Sequence, residues 1–464
     1  MKYLITYMTY DLIVIGSGPG GYVAAERAAK NGLKVAIVER ESLGGICLNW
    51  GCIPTKALLK SAAVYNYLQH AAAYGVVAQA VEADLTAMVQ RSRTVAQTMS
   101  KGVDFLMKHA GVDVIMGHGR VKPNHMVEVT DAEGKTSEYE AEHIIIATGA
   151  RSRELPNLPQ DGKHIIGYRE AMTLPFKPKS MVVVGSGAIG SEFAYFYQSI
   201  GVQVTLVEFM PAVVPNEDEE TSSTIARNFK KMGMKVMTGA NVERVEVEGD
   251  VCHVHIKDKK GAEALVDCDV VLSSVGVVTN LENLGLEETG IAVERGKIVV
   301  DDYYQTPVPG YYAIGDVVHG PALAHVASAE AICCVDKICG GNPAKIDYGN
   351  IPGCTYVNPE VASVGMSEKK AMETGYETRV GKMFFRASGK ATAIGNTEGF
   401  VKVIIDRKND LILGAHMCGE GVTDMIAEIV VARQNGLTAR QVLDGVHPHP
   451  TMSEAVADAI RAAY

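Results

Sequence analysis

Short apolar runs that end in glycine turns and feed alanine-rich helical repeats set the pattern of this chain. Tyr10-Asp11-Leu12-Ile13-Val14-Ile15 reads as a buried strand and Gly16-Ser17-Gly18-Pro19-Gly20-Gly21 as a tight turn. Ala24-Ala25-Glu26-Arg27-Ala28-Ala29 then has helical spacing, and a second strand, Lys34-Val35-Ala36-Ile37-Val38-Glu39, closes on an acid. The plan recurs. Met181-Val182-Val183-Val184 leads into Gly185-Ser186-Gly187-Ala188-Ile189-Gly190, a helix through Glu192-Phe193-Ala194, and the strand Val202-Gln203-Val204-Thr205-Leu206-Val207-Glu208. Gly16 to Gly185 and Glu39 to Glu208 are both offsets of 169 residues. The repeat therefore covers the whole strand, turn, helix, strand and acid.

Each copy has the features of a dinucleotide fold. The first glycine (Gly16, Gly185) permits the turn, and the second (Gly18, Gly187) lets backbone approach a pyrophosphate. The third (Gly21, Gly190) lets helix pack on strand, so the helix N-terminus faces the anion. A carboxylate at the end of the second strand accepts hydrogen bonds from an adenosine ribose and repels a 2'-phosphate, so Glu208 favours NAD over NADP.

Between the copies, an amphipathic, alanine-rich stretch from Pro54 to about His109 reads as helical. His143-Ile144-Ile145-Ile146-Ala147-Thr148-Gly149-Ala150 reads as a buried strand ending in a glycine turn, and Gly310-Tyr311-Tyr312-Ala313-Ile314-Gly315-Asp316 as another. Asp316 could meet flavin phosphate or ribitol groups there; a plain turn aspartate is the alternative. From about Ile351 short β runs (Val361–Gly365, Lys382–Arg386, Phe400–Ile405) alternate with turns, and helices follow from Thr423, an α+β pattern.

At 464 residues the chain exceeds one core and points to roughly three domains at about 150 residues each. A net charge of -10 leaves no basic stripe for nucleic acid. No apolar run reaches the roughly 18 to 20 residues of a membrane span. Met1 to Met8 is too short for a signal peptide, so a cytoplasmic location is expected. Nine cysteines, an odd number, fit a reducing compartment in which only a redox-active pair cycles. Cys252, Cys268, Cys333, Cys334, Cys339, Cys354 and Cys418 read as small core or surface hydrophobes.

The remaining two are different. Cys47 and Cys52 flank Leu48-Asn49-Trp50-Gly51, just after the first nucleotide unit, and Pro54 suits a first helical turn. A thiol pair serves catalysis when one sulfur exchanges and the other is held as a thiolate, which cations or a helix N-terminus favour. The spacing is not that of a zinc site, and no metal is expected. Near the C-terminus, His447-Pro448-His449-Pro450-Thr451-Met452-Ser453-Glu454 precedes an alanine-rich helix. With Pro450 in its first turn, His449 would stand at the helix mouth and Glu454 just over a turn in. A carboxylate on one ring nitrogen makes the other a proton acceptor; two surface histidines in a turn would read the same.

With the run Gly44-Gly45-Ile46-Cys47-Leu48-Asn49-Trp50-Gly51-Cys52-Ile53-Pro54-Thr55-Lys56, two nucleotide units and a terminal His-Pro-Thr-x-x-Glu in order, the chain resembles the pyridine nucleotide-disulfide oxidoreductases over nearly its whole length. The resemblance implies an α/β protein with two Rossmann-like domains and a C-terminal α+β dimerisation domain. FAD would occupy 1–150 with 279–348 as its second part, NAD 151–278, and 349–464 would form a homodimer interface. Carried over by motif, Cys47 would be the interchange thiol and Cys52 the sulfur nearest the flavin, with Lys56 close to it. His449 would be the base and Glu454 its orienting carboxylate, both reaching the partner subunit's site. Gly16, Gly18, Gly21, Glu39, Thr148, Gly149 and Asp316 would hold FAD. Gly185, Gly187, Gly190, Glu208 and Gly276 would hold NAD, with Glu192 near the nicotinamide. One departure is visible: members carry Gly-Arg-x-Pro-Asn where this chain has Gly276-Val277-Val278-Thr279-Asn280.

The implied reaction is oxidation of dihydrolipoyl groups on carrier domains of 2-oxoacid dehydrogenase or glycine cleavage complexes, with NAD as acceptor. A glutathione-type reductase would want basic residues where Glu208-Phe209-Met210 stands, and mercuric or thioredoxin reductases would want a C-terminal thiol pair that Ile460-Arg461-Ala462-Ala463-Tyr464 lacks. An NADH-dependent reductase of another small disulfide and a non-catalytic flavoprotein subunit are the alternatives.

Overall fold

The structure is a computed structural model that describes residues 8–464. Of the segment Met1 to Met8, too short for a signal peptide, Met1 to Tyr7 lie outside the described residues. The chain forms two compact units. Among the described residues, one comprises 8–57, Val89–Arg153 and Val277–Ile346; the other comprises Leu58–Met88, Glu154–Gly276 and Asp347–Tyr464.

The first unit is built on a seven-stranded sheet. Met8–Ile15 is parallel to Val35–Glu39 on one side and to Thr136–Ile146 on the other, with Ile13 opposite Ala36 and Ile144. Tyr311–Ala313 extends the sheet beside Ile144 to Ile146, so the 310–316 run joins a sheet begun three hundred residues earlier. Leu12, Ile13, Val14, Val35, Ala36, Ile37, Ile144 and Ile145 are all sealed from solvent. Burial on both faces explains why these strands read as continuous apolar runs rather than alternating ones.

The second unit holds the sequence repeat as a parallel sheet: Lys235–Thr238, Gln203–Glu208, Ser180–Val184, Val270–Ser273 and Ile165–Ile166, in that order. An antiparallel meander, Ala240–Glu248, Val251–Asp258 and Glu263–Cys268, covers it. The C-terminal part is a five-stranded antiparallel sheet ordered Gly353–Thr355, Glu360–Gly365, Ile412–Gly419, Phe400–Asp406 and Thr378–Phe384. The helices Val422–Gln434 and Glu454–Arg461 pack their apolar faces on that sheet.

Two expectations change. The stretch from Pro54 to His109 is not one helical run but the helices Cys52–Gln69 and Leu85–Ala110 around a short 3-10 turn, Ala71–Tyr74. Gly75, with φ +71°, ends that turn. Leu58–Met88 groups with the second unit, where Tyr74 Oη donates to Ile394 O at 3.2 Å and Asn396 Nδ2 to Tyr67 Oη at 3.3 Å. Pro450, expected in a first helical turn, precedes the helix altogether, which begins at Glu454. Among the described residues no helix is long and apolar enough to cross a membrane.

Candidate active site

At the carboxyl end of the first strand, Gly16 has φ +101°, and a Cβ there would lie 2.3 Å from Ala147 O. A Cβ on Gly21 would lie 1.8 Å from Gly16 O, so helix Pro19–Lys30 closes on the turn only without a side chain. Gly18 caps that helix, and a Cβ built on it meets nothing within 4 Å. Backbone there faces open space, the geometry a pyrophosphate needs at a helix N-terminus. The second unit repeats this. Gly190 would clash with Gly185 O at 2.0 Å, while Gly187 is open.

The twinning extends to hydrogen bonds that the sequence reading missed. Buried Glu39 accepts from Ser17 N at 3.0 Å and Ser17 Oγ at 2.5 Å through Oε2, and from Glu41 N at 2.8 Å through Oε1. Buried Glu208 accepts from Ser186 N and Oγ, both at 2.7 Å, and from Met210 N at 2.7 Å. Each acid thus ties its own glycine loop to its second strand before any ligand is considered. The signal was present: Ser17 and Ser186 sit at the same offset as the glycines.

The cysteine segment docks on the first loop. Gly44 N donates to Ser17 O at 3.1 Å, and a Cβ on Gly45 would lie 2.6 Å from Gly18 Cα. Cys47 lies in the short helix Gly45–Asn49 and is half-buried; Cys52 is exposed and begins the helix Cys52–Gln69, with Lys56 a turn further on. The two sulfurs interact. A hydrogen bond to Cys52 and then burial push the Cys47 thiol up, with Lys56 opposing. The helix N-terminus at Cys52 is the favoured place for a thiolate.

Helix Leu85–Ala110 fixes this turn from outside. Arg91 Nη1 donates to Ala57 O at 2.7 Å, Ser92 Oγ to Pro54 O at 3.1 Å, and Arg93 Nη2 to Asn49 O at 2.6 Å. The Arg93 guanidinium also stacks 4.4 Å from the Trp50 ring. These three residues were not found from sequence.

Thr148 and Gly149 follow the sheet strand and are pinned by buried Asn280. Thr148 Oγ1 donates to Asn280 O at 2.8 Å, and Asn280 Nδ2 donates back to Thr148 O at 2.9 Å. The departing residues Val277–Thr279 form a strand antiparallel to Ala150–Ser152, so the local connection is made without the family's arginine and proline. Asp316 lies in the turn Gly315–Val317, half-buried. Burial pushes its carboxyl up, Lys297 opposes, and the Lys297 ammonium donates to Asp316 O.

In the second unit Glu192 is buried on helix Ala188–Ser199 and accepts from Tyr356 N at 3.0 Å. Gly276, with φ +104°, has open space where a Cβ would stand. His449 Nδ1 lies 2.8 Å from Glu454 Oε1, and Thr451 N donates to Glu454 Oε2 at 2.8 Å. The Thr451 amide and then His449 hold the Glu454 carboxyl below the usual carboxylate range. The His449 side chain is 77 % exposed. The structure thus gathers Cys47, Cys52 and the Gly16 loop in the first unit, and joins His449 to Glu454 in the second.

The family model for pyridine nucleotide-disulphide oxidoreductases matches residues 10–331, and that family's dimerisation domain matches 351–460. The chain belongs to this family. Among its relatives, a dihydrolipoyl dehydrogenase of Rhizobium etli is 47 % identical over 98 % of both chains. One of Zymomonas mobilis is 45 % identical, again over 98 % of both. The crystal structure of LpdA from Mycobacterium tuberculosis matches with a TM-score of 0.91 at 28 % identity, covering 98 % of this chain and 99 % of that one. The two glycine loops and the cysteine turn of this pyridine nucleotide-disulphide oxidoreductase all fall inside the first matched span.

Proposed function

We propose that the protein is a cytoplasmic homodimer that oxidises dihydrolipoyl groups on carrier domains of 2-oxoacid dehydrogenase or glycine cleavage complexes and reduces NAD+. The observation that carries the reading is the Cys47–Cys52 thiol pair at a helix N-terminus, docked on an open glycine loop. The names of the relatives support the substrate.

The chain's residues divide the work. His449, oriented by Glu454, takes a substrate thiol proton on Nε2 and serves the partner subunit's dithiol; its exposure in the single chain suits that role. The substrate thiolate attacks the Cys47 sulfur of the disulfide, and Cys52 leaves as the thiolate that the helix N-terminus and Lys56 favour. A second substrate thiolate then displaces Cys47. A bound FAD would supply the two-electron carrier between this dithiol and NAD. The chain fits both cofactors: Gly18 and Gly187 leave the space a pyrophosphate needs, and Cys52 is open on the chain alone, as a sulfur covered by a cofactor must be. Gly16, Gly21, Glu39, Lys56, Thr148, Gly149 and Asp316 would hold FAD. Gly185, Gly190, Glu192, Glu208 and Gly276 would hold NAD.

Anaerobic turnover with dihydrolipoamide tests the reading, with NAD and NADP compared and oxidised glutathione run alongside. Fast NAD reduction is expected; no lipoyl turnover beside clear reduction of another disulfide would overturn the substrate.

Two smaller predictions arise here. Gly18→Ala should melt like the flavin-free parent yet carry much less flavin, because the added methyl meets only the pyrophosphate space. Gly21→Ala should lose stability by about 1–3 kcal/mol or more, because its methyl meets backbone. Thermal melts and flavin absorbance per protein separate the two. Glu208→Gln should move the NAD-to-NADP ratio of kcat/KM toward NADP by about fivefold or more, about fivefold being the scale of one like-charge contact at about 4 Å in water. An unchanged ratio would remove Glu208 from nucleotide choice.

A further inference from the structure

By sequence Cys252 and Cys268 are small core or surface hydrophobes, and the fold makes them neighbours. Cys252, in Val251–Asp258, stands directly opposite Cys268, at the end of Glu263–Cys268. Both are buried, at 0 % and 3 % exposure, in one core with Val182, Val254 and Ile256, so both sulfurs leave the sheet on the same face. Directly paired residues of an antiparallel ladder have Cα atoms about 4.5 to 5.5 Å apart. A disulfide spans Cα atoms about 4.4 to 6.8 Å apart, so the pairing puts the two residues within reach of one.

The thiols also touch each other. The hydrogen bond between them pushes Cys268 up and Cys252 down. Cys47 is pushed up in the same way by its bond to Cys52. The other contacts of Cys252 are long, with its Sγ 3.9 Å from His164 O and 3.8 Å from Asp269 O. Losing the S–H therefore leaves no strong donor bond unmade.

We propose that Cys252 and Cys268 are a second dithiol/disulfide site, a cross-strand pair in the meander, oxidised by small hydroperoxides. Burial restricts the oxidant to a small uncharged molecule. The Cys252 sulfur attacks one peroxide oxygen, the O–O bond breaks, and the thiol proton leaves with the departing alkoxide or hydroxide. The Cys268 sulfur then displaces the oxygen from Cys252, which leaves as water with the second thiol proton. The two thiols lose two electrons, and one hydroperoxide becomes an alcohol, or water, plus water. Closure ties the two outer ends of the hairpin together and restricts the unfolded chain.

The test uses the wild-type holoprotein treated with hydrogen peroxide, quenched in denaturant with an alkylating agent and mapped by peptide mass. Exposed Cys339 reports that oxidant reached the protein. The expected result is most of the Cys252 and Cys268 peptides joined and two hydrogens lighter, separate from the Cys47–Cys52 link and reopened by dithiothreitol once the chain is in denaturant. The oxidised protein should also melt higher than the identically treated Cys252→Ser variant. Cys252 and Cys268 both alkylated after Cys339 is fully oxidised would overturn the proposal, whatever the variant does.

Discussion

Cys47→Ser protein should oxidise dihydrolipoamide at least about four orders of magnitude more slowly than the parent, because a hydroxyl can neither form nor exchange a disulfide. The same variant should keep its flavin, its melting temperature and its NADH oxidation by an artificial one-electron acceptor. That split follows from the geometry. Cys47 is only half-buried and sits in a five-residue helix. The bonds that fix the surrounding turn come from elsewhere: Asn49 Nδ2 to Leu43 O and Gly45 O, and Arg93 to Asn49 O. Replacing one sulfur by oxygen leaves all of them intact. Stopped-flow reduction by dihydrolipoamide, with flavin content measured beside it, checks the outcome. Dithiol turnover at the parent rate would sink the exchange role of Cys47; loss of flavin together with turnover would instead make it a structural residue.

What the sequence carried and what it hid have separate physical causes. The two nucleotide units were legible because strands buried on both faces need unbroken apolar runs, and the turns after them admit no side chain at Gly16, Gly21, Gly185 or Gly190. The clamp on the cysteine turn was not legible. Arg91, Ser92 and Arg93 lie some forty residues downstream in a polar helix, where arginines read as a solvated face until the fold brings them under Asn49, Pro54 and Ala57. The strand Ile412–Gly419 was hidden for another reason. Its glycines and His416 argue against a strand, yet Gly414 stands where a Cβ would be 2.1 Å from Met366 O, and His416 Nε2 lies 3.0 Å from the same oxygen. Close backbone approach and one buried polar contact explain composition that local propensity penalises. The His449–Glu454 bond was anticipated although the helix was placed too early. The carboxylate reaches back across an irregular turn from the first helical residue, not from within the helix.

That turn is the basis of the second large effect. His449→Gln should lower kcat/KM for dihydrolipoamide by about 10² to 10⁴, the range a positioned general base supplies, with NADH oxidation by an artificial acceptor unchanged. Glu454→Gln should cost less, about 10 to 10², because the imidazole remains and only its orientation and charge partner change. The two losses should not add, since both remove one function. Stability supplies an independent check on the pair. The Thr451 amide and His449 hold the Glu454 carboxyl below its ordinary 4.5 in the folded chain. The stabilisation is therefore fully present above that ordinary value and is lost as the pH falls through the lowered folded value. Denaturant unfolding of the parent and Glu454→Gln should differ at neutral pH and converge in acid. A gap that persists unchanged in acid would mean that the side chain acts through packing, and the kinetic loss could then no longer be assigned to orientation of His449.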